Sequence, residues 1–130
     1  MSDSLLDTSV VIAADETGSL ELPERAAISV ITLGELRAGV LRAREEATRA
    51  LRERRLESLR AAFDALPVDA HVAHHFGEAL AWARSQGRAA KATDLLIVAT
   101  AAAADLSLVT LDRAQASVAE GVGVAVWESP

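Results

Sequence analysis

The sequence contains no cysteine among its 130 residues, so disulfide scaffolds, thiolate zinc sites and cysteine nucleophiles are all excluded. Aromatic residues make up only 3% of the chain, which means that its core is built from aliphatic side chains. Long hydrophobic runs are lacking as well, since the longest covers only residues 95–104 and is too short to span a bilayer. Residues 1–4 have no basic character, unlike the start of a secretory signal. We therefore expect a soluble, cytoplasmic protein.

The overall composition is that of a folded globular protein. Hydrophobic residues make up 51% and charged residues 25% of the chain, which argues against disorder. A chain of 130 residues has the usual size of one domain. The sequence shows no internal repeat, low-complexity segment or linker rich in proline and glycine. We therefore predict a single domain that covers residues 1–130.

Charge is distributed unevenly along the chain, whose net charge is −6. Residues 37–60 carry eight arginines against four glutamates, so this segment has a charge of +4 and the remainder −10. One interpretation is a solvated helix in which Arg49 forms i,i+4 ion pairs with Glu45 and Glu53. The other is a surface that attracts a polyanion towards an acidic pocket loaded with metal. The sequence leaves both interpretations open.

Hydrophobic periodicity indicates strands that alternate with helices. Apolar or β-branched runs predict four strands, at residues 4–6, 27–31, 106–110 and 122–127. Helical spacing predicts helices at residues 10–14, 32–44 and 93–104, one with a face formed by Leu56, Leu59, Phe63 and Leu66, and one with a face formed by Val72, Phe76, Leu80 and Ala83 that ends at Gly87. Strands separated by helices form a mainly parallel sheet that is covered on both faces. The sequence therefore predicts an α/β fold.

Four acidic residues fall at the ends of these predicted elements. Asp7 follows the first strand, and Asp112 follows the third. Glu35 lies one turn into the helix after the second strand, and Asp94 begins the apolar helix. A parallel sheet binds ligands beyond the carboxyl ends of its strands, so we expect Asp7, Glu35 and Asp112 to share one site. Asp94 joins them if the N-terminus of its helix points to the same edge.

Each acid also has a purely structural interpretation. Asp7 can cap a helix, and Thr32 and Glu35 have the spacing of a capping box. Asp94 in a first helical turn is favoured by the helix dipole, and Asp112 can be a turn residue. These structural roles stay open beside the shared site.

Two of the acids stand alone in apolar surroundings. Asp94 is the only charged residue between residues 92 and 104, and Asp7 is the only one within residues 5–12. An ionised carboxylate in such surroundings is costly unless a cation or a hydrogen-bond donor partners it. Several carboxylates in one cleft repel one another, which a divalent cation relieves. Ligands that are all oxygen select Mg²⁺ or Mn²⁺ rather than zinc.

Several stretches of the sequence carry a family resemblance. They are residues 5–13 (LLDTSVVIA), 28–40 (ISVITLGELRAGV), 93–101 (TDLLIVATA) and 108–112 (LVTLD) with 123–127 (GVAVW). In this order and spacing they resemble the motifs of PIN-domain nucleases of the VapC type, the toxins of bacterial toxin–antitoxin pairs. The resemblance extends over nearly the whole chain.

The resemblance implies a three-layer α/β/α fold and a Mg²⁺-dependent endoribonuclease, with Mn²⁺ as a possible substitute ion. It places Asp7, Glu35, Asp94 and Asp112 in the family's acidic catalytic cluster, with Asp7 and Asp94 as the metal anchors. A metal-activated water then hydrolyses an RNA phosphodiester bond. The family further implies a homodimer and a VapB-type antitoxin as partners. We expect the antitoxin to insert an arginine or lysine into the acidic pocket.

The chain departs from the family pattern at one place. Many members carry an aspartate and a phenylalanine where this chain has Gln115 and Ala116. If that aspartate helps to hold metal in the family, a second ion is bound more weakly here or not at all. This departure keeps two alternatives open: an inactive PIN-like protein that only binds antitoxin or RNA, and a Mg²⁺-dependent phosphatase.

Other polar residues extend the predicted site. Three hydroxyl groups can hydrogen-bond the carboxylates or a phosphate oxygen, those of Thr8, Ser9 and Thr110. Four cations flank the motifs and can draw in an anionic substrate: Arg84, Arg88, Lys91 and Arg113. His71, His74 and His75 lie on one predicted helix but lack the further ligands of a closed zinc site, so we expect them at the surface or partly buried.

Overall fold

The computed structural model of the protein describes residues 2–18 and 22–127. Within these ranges lie four strands: β1 (Ser4–Leu6), β2 (Ala26–Ser29), β3 (Ala65–Leu66) and β4 (Ser107–Val109). The same ranges contain six helices: α1 (Thr8–Thr17), α2 (Val30–Arg42), α3 (Glu46–Ala62), α4 (Ala70–Ser85), α5 (Ala92–Ala104) and α6 (Arg113–Gly121). Residues 1, 19–21 and 128–130 of the predicted domain lie outside this description.

The strands form one sheet in the order β3-β2-β1-β4, and every neighbouring pair is parallel. In the middle of the sheet, Leu5 is paired with Ala27 on one side and with Leu108 on the other. The residues that follow these three point to the opposite face, since side chains alternate along a strand. Both faces of the sheet are therefore lined by buried apolar side chains.

A separate buried cluster covers each face of the sheet. The cluster that contains Leu5 joins β1, β2 and β4 to α4, α5 and α6. The cluster that contains Leu6 joins the same strands to α1, α2 and α3. The two clusters are the two interfaces of a three-layer α/β/α sandwich. The predicted fold class is confirmed.

The junction between β2 and α2 differs from the prediction. The strand ends at Ser29, and the helix begins at Val30 rather than at Thr32. The Ser29 hydroxyl accepts a hydrogen bond from the Ile31 N–H at 3.0 Å, which caps the helix. Serine is among the best N-cap residues, and this local hydrogen bond outweighs the strand preference of the β-branched pair that follows it.

The predicted helical face formed by Leu56, Leu59, Phe63 and Leu66 is divided between two elements. Leu56 and Leu59 lie in α3, but this helix ends at Ala62, and Leu66 belongs to β3. Leu66 precedes a proline, whose ring disfavours helical backbone at the preceding residue. The chain is therefore extended here, and Leu66 pairs with Ser29 at the edge of the sheet.

The C-terminal region contains a helix that the periodicity did not predict. Helix α6 carries few large apolar residues, because its buried positions are Gln115, Val118 and Ala119. The predicted strand at residues 122–127 is reduced to one parallel bridge between Leu108 and Val126. Helix α6 has only one apolar side chain larger than alanine, that of Val118, so the spacing of large apolar residues that predicts the other helices does not identify it.

The remaining predicted elements are present with shifted ends. Helix α1 is longer than the predicted residues 10–14 and ends where Gly18 adopts a φ of 65°. Helix α4 contains its predicted apolar face and is followed by Gly87 at a φ of 66°. Across the described ranges of the chain, the longest apolar helices fall short of the length needed to cross a membrane.

Candidate active site

The parallel sheet brings the carboxyl ends of β1, β2 and β4 to one edge, where the four predicted acids meet. Asp7 follows β1, and Asp112 follows β4 as the N-cap of α6. Glu35 lies in α2 after β2, and Asp94 lies in the first turn of α5. The N-terminus of α5 therefore does point to this edge, as the shared site requires.

Asp94 is the electrostatic centre of this acid cluster, which we define as Asp7, Glu35, Asp94 and Asp112. Burial raises the pKa of the Asp94 carboxyl, and the negative charges of the other three acids raise it further. Lys91, one turn away, opposes these effects. Since charges act on one another in this way only at short range, Asp7, Glu35 and Asp112 each lie near Asp94.

Asp7 is held from two directions. The residue is 2% exposed, and its carboxylate accepts hydrogen bonds from the Ser9 hydroxyl at 2.7 Å and the Thr110 hydroxyl at 2.9 Å. Asp7 stands at the N-cap of α1, yet its side chain makes no capping hydrogen bond. The prediction that the Asp7 carboxylate caps α1 is therefore wrong. The carboxylate instead accepts hydrogen bonds from two of the three hydroxyl groups predicted to bind the acids.

Glu35 is tied to α1 rather than to its own helix terminus. The Thr8 hydroxyl donates to a Glu35 oxygen at 2.7 Å, and it lies 3.0 Å from the Thr32 hydroxyl, which is fully buried. The capping-box interpretation is wrong, because Ser29 caps α2 and Thr32 lies inside the first turn. Thr8 thus connects the two helices that follow β1 and β2.

Asp112 has a structural role in addition to its place in the acid cluster. Its Oδ1 atom accepts hydrogen bonds from the N–H groups of Ala114 at 2.9 Å and Gln115 at 3.3 Å. It is the side-chain cap of α6, which replaces the predicted turn. These capping bonds use Oδ1 alone, so the second carboxylate oxygen is not required for them.

Gln115 is a site residue whose role the sequence analysis missed. Its side chain is 3% exposed, and its Nε2 donates to the backbone carbonyl of Asp94 at 3.3 Å. Its Oε1 lies 3.4 Å from the Thr110 hydroxyl, the same group that donates to Asp7. Gln115 therefore connects the first turn of α5 to the residue that holds Asp7. The only sequence signal for it was the departure from the family pattern.

The comparison with protein-family models decides the family. The model described as PIN domain matches residues 4–121. The chain belongs to the PIN-domain family. The predicted VapC resemblance is confirmed as well, because Ribonuclease VapC8 of Mycobacterium tuberculosis H37Rv is 46% identical over 100 residues, which are 75% of this chain and 88% of VapC8. Ribonuclease VapC5 of the same strain is 40% identical over 111 residues, which are 83% of this chain and 82% of VapC5.

Solved structures agree with this assignment. VapBC-5 from Mycobacterium tuberculosis, a member of the VapBC family of toxin–antitoxin systems, matches with a TM-score of 0.79 and 38% identity over 96% of this chain and 94% of that chain. FitAcB from Neisseria gonorrhoeae matches with a TM-score of 0.78 and 29% identity over 96% of both chains.

The chemistry of this PIN-domain site fits a hydrated divalent ion. In residues 2–18 and 22–127, no group of three or more His, Cys, Asp or Glu side chains is arranged to hold an ion by itself. Mg²⁺ does not need such a group, because it keeps several waters and binds through one or two carboxylates. The acid cluster offers only oxygen ligands, which are those that Mg²⁺ and Mn²⁺ prefer.

Basic residues border the acid cluster on two sides. Arg88 and Lys91 line a cavity of about 220 Å³ that also reaches Asp94 and Asp112. Arg84 and Arg113, the other predicted substrate contacts, do not line this cavity. The second border is a cleft of about 720 Å³ that extends from Thr8 and Glu35 and is lined by arginines of the basic segment: Arg42, Arg44, Arg52 and Arg55.

The basic segment is not a helix held by the two predicted i,i+4 pairs. Arg49 donates instead to the carbonyl of Ala43 at 3.2 Å, while Arg37 pairs with Glu53 at 3.5 Å. Arg55 pairs with Asp15 of α1 at 2.7 Å. Part of the segment therefore faces the cleft, and part of its charge is neutralised by α1.

The three histidines lie away from the acid cluster on α4. His74 and His75 are 3.6 Å and 3.2 Å from the same oxygen of Glu78. His71 packs edge-on against His75, with ring centroids 4.9 Å apart. His74 and His71 are exposed, and His75 is partly buried, as the sequence analysis expected.

Proposed function

We propose that this PIN-domain protein is a Mg²⁺-dependent endoribonuclease that acts as the toxin of a toxin–antitoxin pair in the cytoplasm. The observation that carries the proposal is the convergence of three carboxylates, those of Asp7, Glu35 and Asp112, on Asp94, whose pKa is raised by burial and further by their negative charges. Such repulsion is relieved by a divalent cation. The similarity to proteins named ribonucleases VapC8 and VapC5 supports RNA as the substrate.

Asp7 and Asp94 would hold the ion, and Asp112 and Glu35 would complete its surroundings directly or through water. Mn²⁺ has the same ligand preference and is a plausible laboratory substitute. When bound, such an ion supplies a water of lowered pKa and stabilises the charge that develops on a phosphodiester.

The protein's own contribution is to keep the acids in place. Ser9 and Thr110 fix the carboxylate of Asp7 with two hydrogen bonds. Thr8 fixes Glu35 in the same way. Since a displacement of about 1 Å at such a group can cost a hundredfold in rate, these hydroxyl donors are positioning groups of the proposed enzyme.

An anionic substrate also has to approach an acidic site. Lys91 is close enough to lower the pKa of Asp94, and Arg88 stands beside it on the cavity wall. Cations at this edge attract phosphate groups, and the attraction falls as salt is added. In this proposal, the bound ion partly neutralises the acids, and Arg88 and Lys91 then make the local electrostatic potential positive.

The proposal includes two protein partners. VapBC-5, to which the chain is similar, belongs to a family of toxin–antitoxin systems, which supports a VapB-type antitoxin as partner. An acidic pocket at a sheet edge is a suitable receptor for an arginine or lysine, because a charge-assisted hydrogen bond to carboxylate is strong. We expect a homodimer, which light scattering after gel filtration would test.

The decisive experiment uses purified protein free of antitoxin and a set of structured RNAs with Mg²⁺, Mn²⁺ or EDTA. Asp7→Asn and Asp94→Asn are the matched controls for contaminating ribonuclease, since both keep the size of the side chain. Cleavage that needs the ion and is lost in both variants supports the proposal. If the wild-type protein cleaves no more RNA than the variants and binds no Mg²⁺ in calorimetry, the protein is not an enzyme of this kind and only binds its partners. Phosphate release from small monoesters without strand cleavage would indicate a phosphatase.

A further inference from the structure

The cavity beside the acid cluster has two kinds of wall. Leu95 and Val98 of α5 and Val118 of α6 form an apolar side, while Arg88 and Lys91 form a basic rim. Asp94 and Asp112 of the acid cluster border the same cavity, whose volume is about 220 Å³. A ligand seated there would touch an apolar surface, two cations and the reacting site at once.

A nucleotide is the ligand that has these three parts. Its base is flat and apolar on its faces, its phosphate is anionic, and the phosphate of a substrate must reach the acid cluster. Single-stranded RNA is recognised mainly by bases that are splayed out, stacked on aromatic side chains or on arginine planes, and hydrogen-bonded at their edges; in this cavity Arg88 offers the arginine plane. The cavity has the matching chemistry on the side of α5 and α6.

Arg88 is held in position at the rim. Its guanidinium lies 5.4 Å from the centre of the Trp82 ring and donates to the Ser117 hydroxyl at 2.8 Å. These two contacts orient the guanidinium although the residue is exposed. An oriented arginine loses less conformational freedom when it binds, and its planar group can stack on a base or donate to its edge.

We propose that this cavity is a subsite for the nucleobase next to the scissile phosphate, with Arg88 as the residue that contacts the base. The inference rests on the proposed ribonuclease function and adds to it the place where the RNA sequence is read. Lys91 in the same rim contacts the adjoining phosphate. The preference for a particular base next to the cut then depends on the α5–α6 cavity and not on the arginine cleft beside Glu35.

The test fills the cavity from a position that the fold tolerates. Ala114 lines the cavity and is exposed, so Ala114→Trp adds a large side chain to the pocket without replacing a core residue. Ala81→Trp is the matched control, because Ala81 is also an exposed helical alanine but lies on α4, outside the cavity. Thermal unfolding and Mn²⁺ calorimetry on both variants establish that folding and ion binding are retained.

Cleavage sites are then mapped by sequencing the ends of RNA fragments, and KM and kcat are measured on a short RNA. We expect Ala114→Trp to raise KM by about tenfold and to weaken the base preference at one position beside the cut. Arg88→Gln should weaken the same preference, and Ala81→Trp should change neither quantity. Unchanged KM and base preference in Ala114→Trp would overturn the proposal.

A second measurement needs no cleavage and therefore separates this proposal from the proposed function. The four nucleoside monophosphates are added to wild type without divalent ions, and amide shifts are followed by NMR. We expect at least one of them to shift the amides of residues 114–118, with no shift in Ala114→Trp. If the wild-type protein cleaves RNA but shows no such shifts, or if Ala114→Trp shows equal shifts, the subsite proposal alone is overturned. A wild type that cleaves no RNA overturns the proposed function.

Discussion

Gln115 offers the sharpest test of how the acid cluster is held together. Gln115→Leu keeps the approximate size of the side chain and removes both of its polar contacts, one to the Asp94 carbonyl at 3.3 Å and one to Thr110 at 3.4 Å. A hydrogen bond contributes about 0.5–1.5 kcal/mol net, and both contacts are long. Because the one Thr110 hydroxyl proton is donated to Asp7 at 2.9 Å, only the bond to the Asp94 carbonyl is lost in full, and we expect the free energy of unfolding to fall by about 1 kcal/mol.

The same substitution should weaken ion binding. Without Gln115, the first turn of α5 that carries Asp94 is no longer linked to Thr110 and thereby to Asp7. The affinity for Mn²⁺ then falls severalfold in calorimetry, although no carboxylate has been removed. Gln115→Glu restores the size and adds a negative charge, so it should be less stable than wild type in EDTA and gain more stability from Mn²⁺.

Urea unfolding followed by circular dichroism measures the stability difference, and Gln86→Leu is the matched control. Gln86 is the chain's other glutamine and is exposed, so its replacement should change stability by no more than about 0.5 kcal/mol. The proposed role of Gln115 in holding the acid cluster together is refuted if Gln115→Leu has the stability and Mn²⁺ affinity of wild type. It is refuted equally if Gln86→Leu produces the same losses.

Substitutions at three further residues separate the roles of the site residues. Asp112→Asn keeps a good helix cap while it removes the charge, so thermal unfolding should stay near wild type as Mn²⁺ affinity falls, whereas Asp112→Ala should also lose about 1 kcal/mol of stability. Thr8→Val removes the donor to Glu35 and should lower kcat and cost about 1–3 kcal/mol, since it leaves the buried Thr32 hydroxyl and the partly buried Glu35 carboxylate without that partner. In EDTA, the contribution of Asp94 to wild-type stability should fall as pH rises above its ordinary pKa of 3.8, because the folded state holds this proton more tightly than the unfolded state. Asp94→Asn should flatten this fall in a series of urea titrations, and an unaltered slope would contradict the assignment.

The location of the site could be predicted from the sequence because it depends only on the alternation of strands and helices along the chain. Apolar runs identify the strands, helices between them require parallel pairing, and parallel pairing brings the strand ends to one edge. Asp7 and Asp112 follow directly from this logic, and Glu35 follows with one helical turn added. The location of the site is therefore determined by the order of the strands and helices more than by individual side-chain contacts.

The details that escaped prediction depend on competition between local and tertiary interactions. Ser29 and Thr32 are both possible helix caps, and only the bond from the Ile31 N–H shows that Ser29 is used. Helix α6 has Val118 as its one apolar residue larger than alanine, so a search for evenly spaced large apolar residues does not find it. Gln115 acts through groups 5 and 21 residues away in sequence, so no spacing rule could reveal its role.

The repulsion that adds to burial in raising the pKa of Asp94 also connects the two proposed regulators of the site. Any cation that enters the acid cluster relieves the same repulsion, whether it is a divalent ion or the basic side chain of an antitoxin. If both occupy the place beside Asp94, each lowers the affinity for the other by the same factor, because linkage of binding equilibria is reciprocal. Antitoxin would then suppress cleavage by occupying the charge environment that the ion needs, without blocking the base cavity between α5 and α6. An inhibited complex that still binds Mn²⁺ with the affinity of the free protein would contradict this account.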